Sequence, residues 1–369
     1  MGGMFFHQNK SPGSGVYGTR PCVRRQDLAR RAAPGSAVKT IRKREDNDRC
    51  LDGGRQRGYN EKNYGCPRDA AGGAAPAWKG SFIMKTGLVL EGGALRTIFS
   101  SGVCDALLDG GVMVDYVIGV SAGIAYGVSY ISRQPRRNLE IVTRYAGDRR
   151  YMGMNNLADR HNRSYFGLEF VYDTIPNELV PFDYQTFAAY PGQVEAVVTN
   201  LNTGEAEYMP VPREDDKFLL LQATCALPLM FPIYHLNGQP YLDGGVADSI
   251  PYERAFQQGC DRVVVVLSKT RSYVRRPEKL QPVIERTYRE YPNFCRAMAR
   301  RAEQYNTCRE RLFQLEREGR VLVLAPVSTH KVSRIERDTK KLRMLWGDGY
   351  QQAVDRMDEI RAFLTPDRA

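Results

Sequence analysis

From Lys85 onward, short apolar runs alternate with longer segments of helical period, and this alternation restricts the fold more than any other feature of the chain. Leu88-Val-Leu90, Tyr116-Val-Ile-Gly-Val120, Val194-Glu-Ala-Val-Val-Thr199, Arg262-Val-Val-Val-Val-Leu267 and Val321-Leu-Val-Leu324 read as strands. The fourth is almost wholly apolar, as a central strand buried on both faces must be. Between the runs lie helical stretches at about Thr97 to Asp109, stopped by Gly110-Gly111, and at Phe218 to Ala226, ended by Pro228 and Pro232. The pattern predicts an α/β fold: a mainly parallel central sheet flanked by helices on both faces.

Other segments are less regular. Residues 133 to 185 are polar and aromatic, with a helix expected near Arg137 to Tyr145, and Asn200-Leu-Asn-Thr-Gly204 joins a hairpin whose return strand runs from Glu205 to Val211. After Ser268 the composition turns to Arg, Glu, Tyr and Gln as far as about Glu318, which reads as exposed helices. Ser333 to Leu364 reads as helix broken near Gly347-Asp-Gly349. This C-terminal third is either an accessory cap or the last layer of the same domain. The expected division is a leader over 1–83, a catalytic α/β domain over 84–268, and a mainly helical region with one strand over 269–369, packed on that domain. A length of 369 residues accommodates this, and 42% hydrophobic with 26% charged residues excludes collagenous, wholly disordered and disulfide-scaffold classes.

The net charge of +11 suggests an anionic partner until its distribution is considered. Residues 1–83 carry 16 Lys and Arg against 7 Asp and Glu, leaving 37 against 35 in the rest. The leader also holds 13 of the 34 glycines and no sustained apolar period, so it is expected to be disordered. It reads as a basic arm for lipid or nucleic acid, as a presequence, or as an upstream extension of a chain starting at Met84. Glu45, Asp46 and Asp48 interrupt the Arg-rich stretch and no apolar h-region is present, which weighs against a presequence, and the extension is favoured because Met84 opens the strand Thr86-Gly-Leu-Val-Leu90. No nucleic-acid partner is expected for the core. The eight cysteines form no CxxC or His-spaced set, so neither a metal nor a cofactor is expected, and reduced thiols in a cytoplasmic protein are the simplest reading. No run of eighteen apolar residues occurs.

Three motifs carry chemistry. Gly119-Val-Ser-Ala-Gly123 is a GxSxG sequence where a strand ends and a helix begins, the geometry that pushes a serine hydroxyl out of a sheet. The flanking Gly119 and Gly123 remove side-chain clashes, and the helix N-terminus favours negative charge. A serine needs a proton acceptor. His7, His161, His235 and His330 lie in segments without a distinguishing pattern, whereas Asp243 precedes Gly244-Gly245 at a turn beside a strand end. Third, Glu91-Gly-Gly-Ala-Leu-Arg96 follows the first strand, where the N–H groups of Gly92, Gly93 and Ala94 would converge on an oxyanion. Neither GxxxxGKS nor GxGxxG is present, which weighs against a nucleotide site.

In this order and on these elements, the three motifs resemble the patatin-like phospholipase family over about Lys85 to Ser268, in its bacterial form with a helical C-terminal extension. Ala223-Thr-Cys-Ala-Leu-Pro228 to Phe231-Pro232 also looks like the family's segment leading to the aspartate. The resemblance implies a three-layer α/β/α fold and a serine acyl hydrolase acting on fatty-acyl esters of lipids. It implies Ser121 as nucleophile, Asp243 as its base, and an oxyanion hole from Gly92, Gly93, Ala94 and Ala122 supported by Arg96. It further implies peripheral membrane contact. Ala94 stands where the family often has a third glycine, and Thr97 where a glycine commonly follows the basic residue. A positive φ would be difficult for Thr97, though a helix starting there would not need one. Two alternatives stay open: an α/β-hydrolase with Ser121, Asp243 and His330 as triad, and a non-catalytic lipid-binding regulator. Head group, chain length, sn-position and oligomeric state are not legible in the sequence.

Overall fold

The computed structural model describes residues 84–365. The expected disordered leader over 1–83 lies outside the described residues. Eight strands form one mixed, mostly parallel sheet: β1 (Thr86–Leu90), β2 (Tyr116–Val120), β3 (Gln193–Asn200), β4 (Ala206–Pro210), β5 (Tyr234–Leu236), β6 (Gln239–Asp243), β7 (Arg262–Val266) and β8 (Val321–Leu324). Their order is β5-β6-β3-β2-β1-β7-β8, with β4 paired to β3 as the returning arm of the hairpin. The five strands from β3 to β8 run parallel, while β4, β5 and β6 join antiparallel.

Alternation of side chains explains why these runs are apolar throughout. Leu88, Leu90, Val264, Val266, Leu322 and Leu324 enter one core, and Val89, Val263, Val265, Leu267, Val321 and Val323 enter the other. With both faces covered, every position must be apolar. Helices Ile98–Asp109, Ala122–Ile131 and Thr339–Asp355 contribute to the first core, and helix Pro292–Arg317 to the second.

Three segments differ from the sequence reading. Helix Pro292–Arg317 is not simply exposed: Phe294, Met298, Tyr305, Leu312 and Leu315 line a buried face, obscured in sequence by the charged residues between them. Helix Thr339–Asp355 passes through Gly347-Asp-Gly349 and breaks at Arg356 instead. Gly349 serves close packing, since a methyl there would run into the carbonyl oxygen of Phe99 on helix Ile98–Asp109. Between residues 133 and 185, beyond helix Arg137–Tyr145, lies a π-helical stretch, Phe170–Leu179, containing Pro176.

Candidate active site

Sheet register joins two motifs that lie 122 positions apart. Val120 at the end of β2 pairs with Val197 of β3, and Asp243 at the end of β6 pairs with Val198. Ser121, one step beyond Val120, therefore stands level with Asp243 along β3. Ser121 takes φ 54° and ψ −134° between β2 and helix Ala122–Ile131. That left-handed conformation costs a non-glycine residue about 1–3 kcal/mol and persists only where surrounding packing enforces it. Here the Ser121 N–H donates to Thr224 Oγ1 at 2.9 Å, and Thr224 Oγ1 donates to the Val197 carbonyl at 2.5 Å. Gly119 and Gly123 bracket the turn, and a methyl at Gly123 would strike the Leu90 carbonyl.

Asp243 is 2% exposed. Its Oδ1 accepts from the Gly245 N–H at 2.8 Å, while Oδ2 is buried without a hydrogen-bond partner. Burial raises its pKa, and the Arg301 guanidinium, the Ser121 hydroxyl and the Gly245 amide pull it back. Ser121 and Asp243 line the same cavity without a hydrogen bond between their side chains, a looseness common in unliganded sites. Gly244 lies against β3, where a side chain would collide with the Val197 carbonyl.

The loop after β1 is anchored by Glu91, whose Oε2 accepts from the Ser268 N–H and whose Oε1 accepts from the Tyr305 hydroxyl, both at 2.6 Å. Ser268 Oγ donates to the Gly92 carbonyl at 2.8 Å. Among the described residues the N–H groups of Gly92 and Gly93 have no acceptor. Ala94 takes φ 50°, the angle a glycine would adopt without cost, whereas Thr97 sits at φ −66° in a helical conformation. The conformational burden falls on Ala94 rather than on Thr97.

Two cavities meet at Ser121. One is apolar and includes Ala122, Tyr126, Ile175, Phe182, Phe218 and Leu221. The other contains Gly92, Gly93, Ala94, Arg96, Asp243 and Gly245. Ser121, Ala94 and Leu227 line both. No histidine lines either cavity; His330 pairs with Asp348 at 2.5 Å, while His161 and His235 are exposed. Cys225 adjoins Ser121, and its thiol is pushed up to about 12 by burial, so it stays neutral. Five cysteines of the described residues are unpaired. Lys269, Arg275, Arg301 and Arg334, which no sequence motif marks, also face the second cavity.

Residues 88–256 match the family model described as patatin-like phospholipase. These residues, a little under half of the chain, form a patatin-like phospholipase domain. Within the match lie the GxSxG turn, the loop after β1 and the Asp-Gly-Gly turn at the end of β6. Residues 291–365 match a second family, a domain of unknown function designated DUF6363. Among curated proteins, uncharacterized protein YjjU of Escherichia coli is 27% identical over 245 residues, which cover 56% of this chain and 63% of the relative. Lysophospholipase nte1 of Aspergillus niger is 26% identical over 191 residues, covering 49% of this chain and 12% of that protein. The match thus spans under two thirds of each relative's length. The solved structure of VipD from Legionella pneumophila aligns with a TM-score of 0.38 at 15% identity, over 75% of this chain and 67% of that one.

Proposed function

We propose that this protein is a serine ester hydrolase that cleaves fatty-acyl esters of lipids through a Ser121–Asp243 dyad. The observation that carries the reading is the strained Ser121 turn in the same cavity as a buried Asp243 whose Oδ2 is unpartnered, with no imidazole of the described residues lining that cavity. In this reading Asp243 accepts the Ser121 proton as Oγ attacks the ester carbonyl. The N–H groups of Gly92, Gly93, Ala94 and Ala122 hold the developing oxyanion, with Arg96 supporting the loop. Collapse expels the alcohol, which takes the proton from Asp243 and leaves an acyl-Ser121. Water then attacks the acyl carbonyl, Asp243 takes its proton and returns one to Ser121, and the fatty acid leaves. The apolar cavity suits the acyl chain, and two fungal relatives that match 49% of this chain are named lysophospholipases.

In this reading residues 84–268 form the catalytic domain and the helical region from 269 packs on it. Access to lipid would be peripheral, from the cytoplasmic side; among the described residues no helix is long and apolar enough to cross a membrane. The test is hydrolysis of p-nitrophenyl butyrate together with fluorophosphonate labelling. The wild type is expected to turn over the ester and to label at Ser121. Ser121→Ala and Asp243→Asn should each lower kcat by at least about 10³-fold. Full turnover in both variants would refute the dyad, and wild-type liposome binding without labelling or turnover would make the chain a binding module.

A further inference from the structure

The cavity beside Ser121 and Asp243 carries an excess of positive charge that hydrolysis of a neutral ester does not require. Arg96, Lys269, Arg275, Arg301 and Arg334 line it, and Asp243 is its only carboxylate. They come from four separate segments: the turn after β1, the loop after β7, helix Pro292–Arg317, and the loop before helix Thr339–Asp355. None of the five forms an ion pair among the described residues. The Nε atoms of Arg96 and Arg275 are buried without partners. Lys269 is 7% exposed, and its Nζ has a 3.4 Å contact with Ser268 Oγ and lies 5.7 Å from the centre of the Tyr273 ring. Arg301 Nε donates to the Gly245 carbonyl at 2.6 Å. Glu91, the nearby carboxylate, already accepts from Ser268 and Tyr305.

Unpaired, crowded cations of this kind are expensive to maintain. Burial first, and neighbouring guanidiniums after it, pull the Lys269 ammonium down to about 7 against the opposing effect of Glu91, and pull Arg301 down to about 9. A ligand with two or more negative charges would relieve that repulsion, and guanidinium forks match phosphate oxygens. Resting on the hydrolase reading, we propose that this cavity is a head-group site for a phosphate monoester, so that the preferred substrate is an acyl ester with a dianionic phosphate near the scissile carbonyl. The acyl chain occupies the apolar cavity, the carbonyl sits at Ser121, and the phosphate lies among the five cations. Water cleaves the acyl C–O bond, giving fatty acid and a phosphorylated alcohol. A phosphocholine head is disfavoured because its ammonium would enter a field of like charge. Arg301 and Arg334 belong to the DUF6363 match, so this segment's role is to complete the head-group site.

The test uses three soluble hexanoyl esters below their micelle concentrations: hexanoylglycerol 3-phosphate, hexanoylglycerophosphocholine and hexanoylglycerol. With the full chain, kcat/KM for the phosphate monoester should exceed that for each of the others by about 10- to 100-fold, the scale of one or two charge-assisted contacts. Arg275→Gln and Arg334→Gln should each reduce that ratio about tenfold. Equal kcat/KM for all three esters, or an equal loss on all three in the variants, would overturn the proposal while leaving the hydrolase intact. Glycerol 3-phosphate and inorganic phosphate separate a lipid head from a free anion. Competition by both at concentrations far above KM for the acylated phosphate supports a head group; inorganic phosphate binding as tightly as the acylated compound overturns it. If the wild type hydrolyses none of the esters and Ser121 does not label, the hydrolase reading fails. Calorimetric titration of Ser121→Ala with hexanoylglycerol 3-phosphate and hexanoylglycerol then decides the anion site: selective binding of the phosphate supports it, and equal binding or none overturns it.

Discussion

Gly93→Ala tests the oxyanion loop through a clash that has a defined source. Gly93 has φ −177°, outside the left-handed region that favours glycine. The added methyl would stand 2.6 Å from Ser268 Oγ and 2.8 Å from Ser268 Cβ, whereas real Cβ contacts stay beyond 3.0 Å. Loop and Ser268 must therefore part by about 0.4 Å or more at a point fixed by the Ser268 Oγ donation to the Gly92 carbonyl. A displacement of 1 Å in a catalytic constellation costs about 10²-fold, and outright loss of an oxyanion donor costs about 10²–10³. The expected fall in kcat for p-nitrophenyl butyrate is about 10- to 100-fold, with KM moving little. Because the obstacle consists of the Ser268 Oγ and Cβ, Ser268→Gly in the same chain should recover most of the loss. The double variant forfeits one hydrogen bond, about 1 kcal/mol of stability. Full activity in Gly93→Ala with an unchanged melting temperature would refute the oxyanion role. So would a loss that Ser268→Gly leaves untouched.

Two other outcomes follow from features already described. Burial raises the Asp243 pKa, and a base must be ionised to act, so kcat/KM should fall with decreasing pH above the ordinary carboxylate range. Arg301→Gln removes the largest opposing charge and should move that acid limb to higher pH; an unmoved limb would remove Asp243 from the role of base. Gly349→Ala forces a methyl against the Phe99 carbonyl, an overpacking that should cost about 1–3 kcal/mol, read as a melting temperature lower by several degrees.

Much of this site is legible in the sequence because it is built from local geometry. Gly119 to Gly123, Glu91 to Arg96 and Asp243 to Gly245 each sit at a strand end, where short-range residue choice dictates the turn. The apolar runs likewise reveal a sheet buried on both faces. What escapes notice is whatever depends on distant packing. Lys269, Arg275, Arg301 and Arg334 span 66 positions without periodicity, and only the fold gathers them into one cavity. The glycines at 347 and 349 look like helix breakers because sequence alone does not reveal the neighbouring helix that Gly349 accommodates. Phe170–Leu179 has no expected pattern, since a π-helical turn containing Pro176 follows neither the 3.6-residue nor the two-residue period.

The position of β8 has a practical consequence. It pairs with β7 from Val263 opposite Val321 to Val266 opposite Leu324, and is the last strand on that side of the sheet. A chain shortened to end before Val321 would leave four consecutive valines with an open ladder of backbone donors and acceptors, the surface on which strands of separate molecules stack. Expressing residues 84–268 without the tail should therefore give inclusion bodies rather than a smaller soluble protein, because the strand in the tail covers that edge.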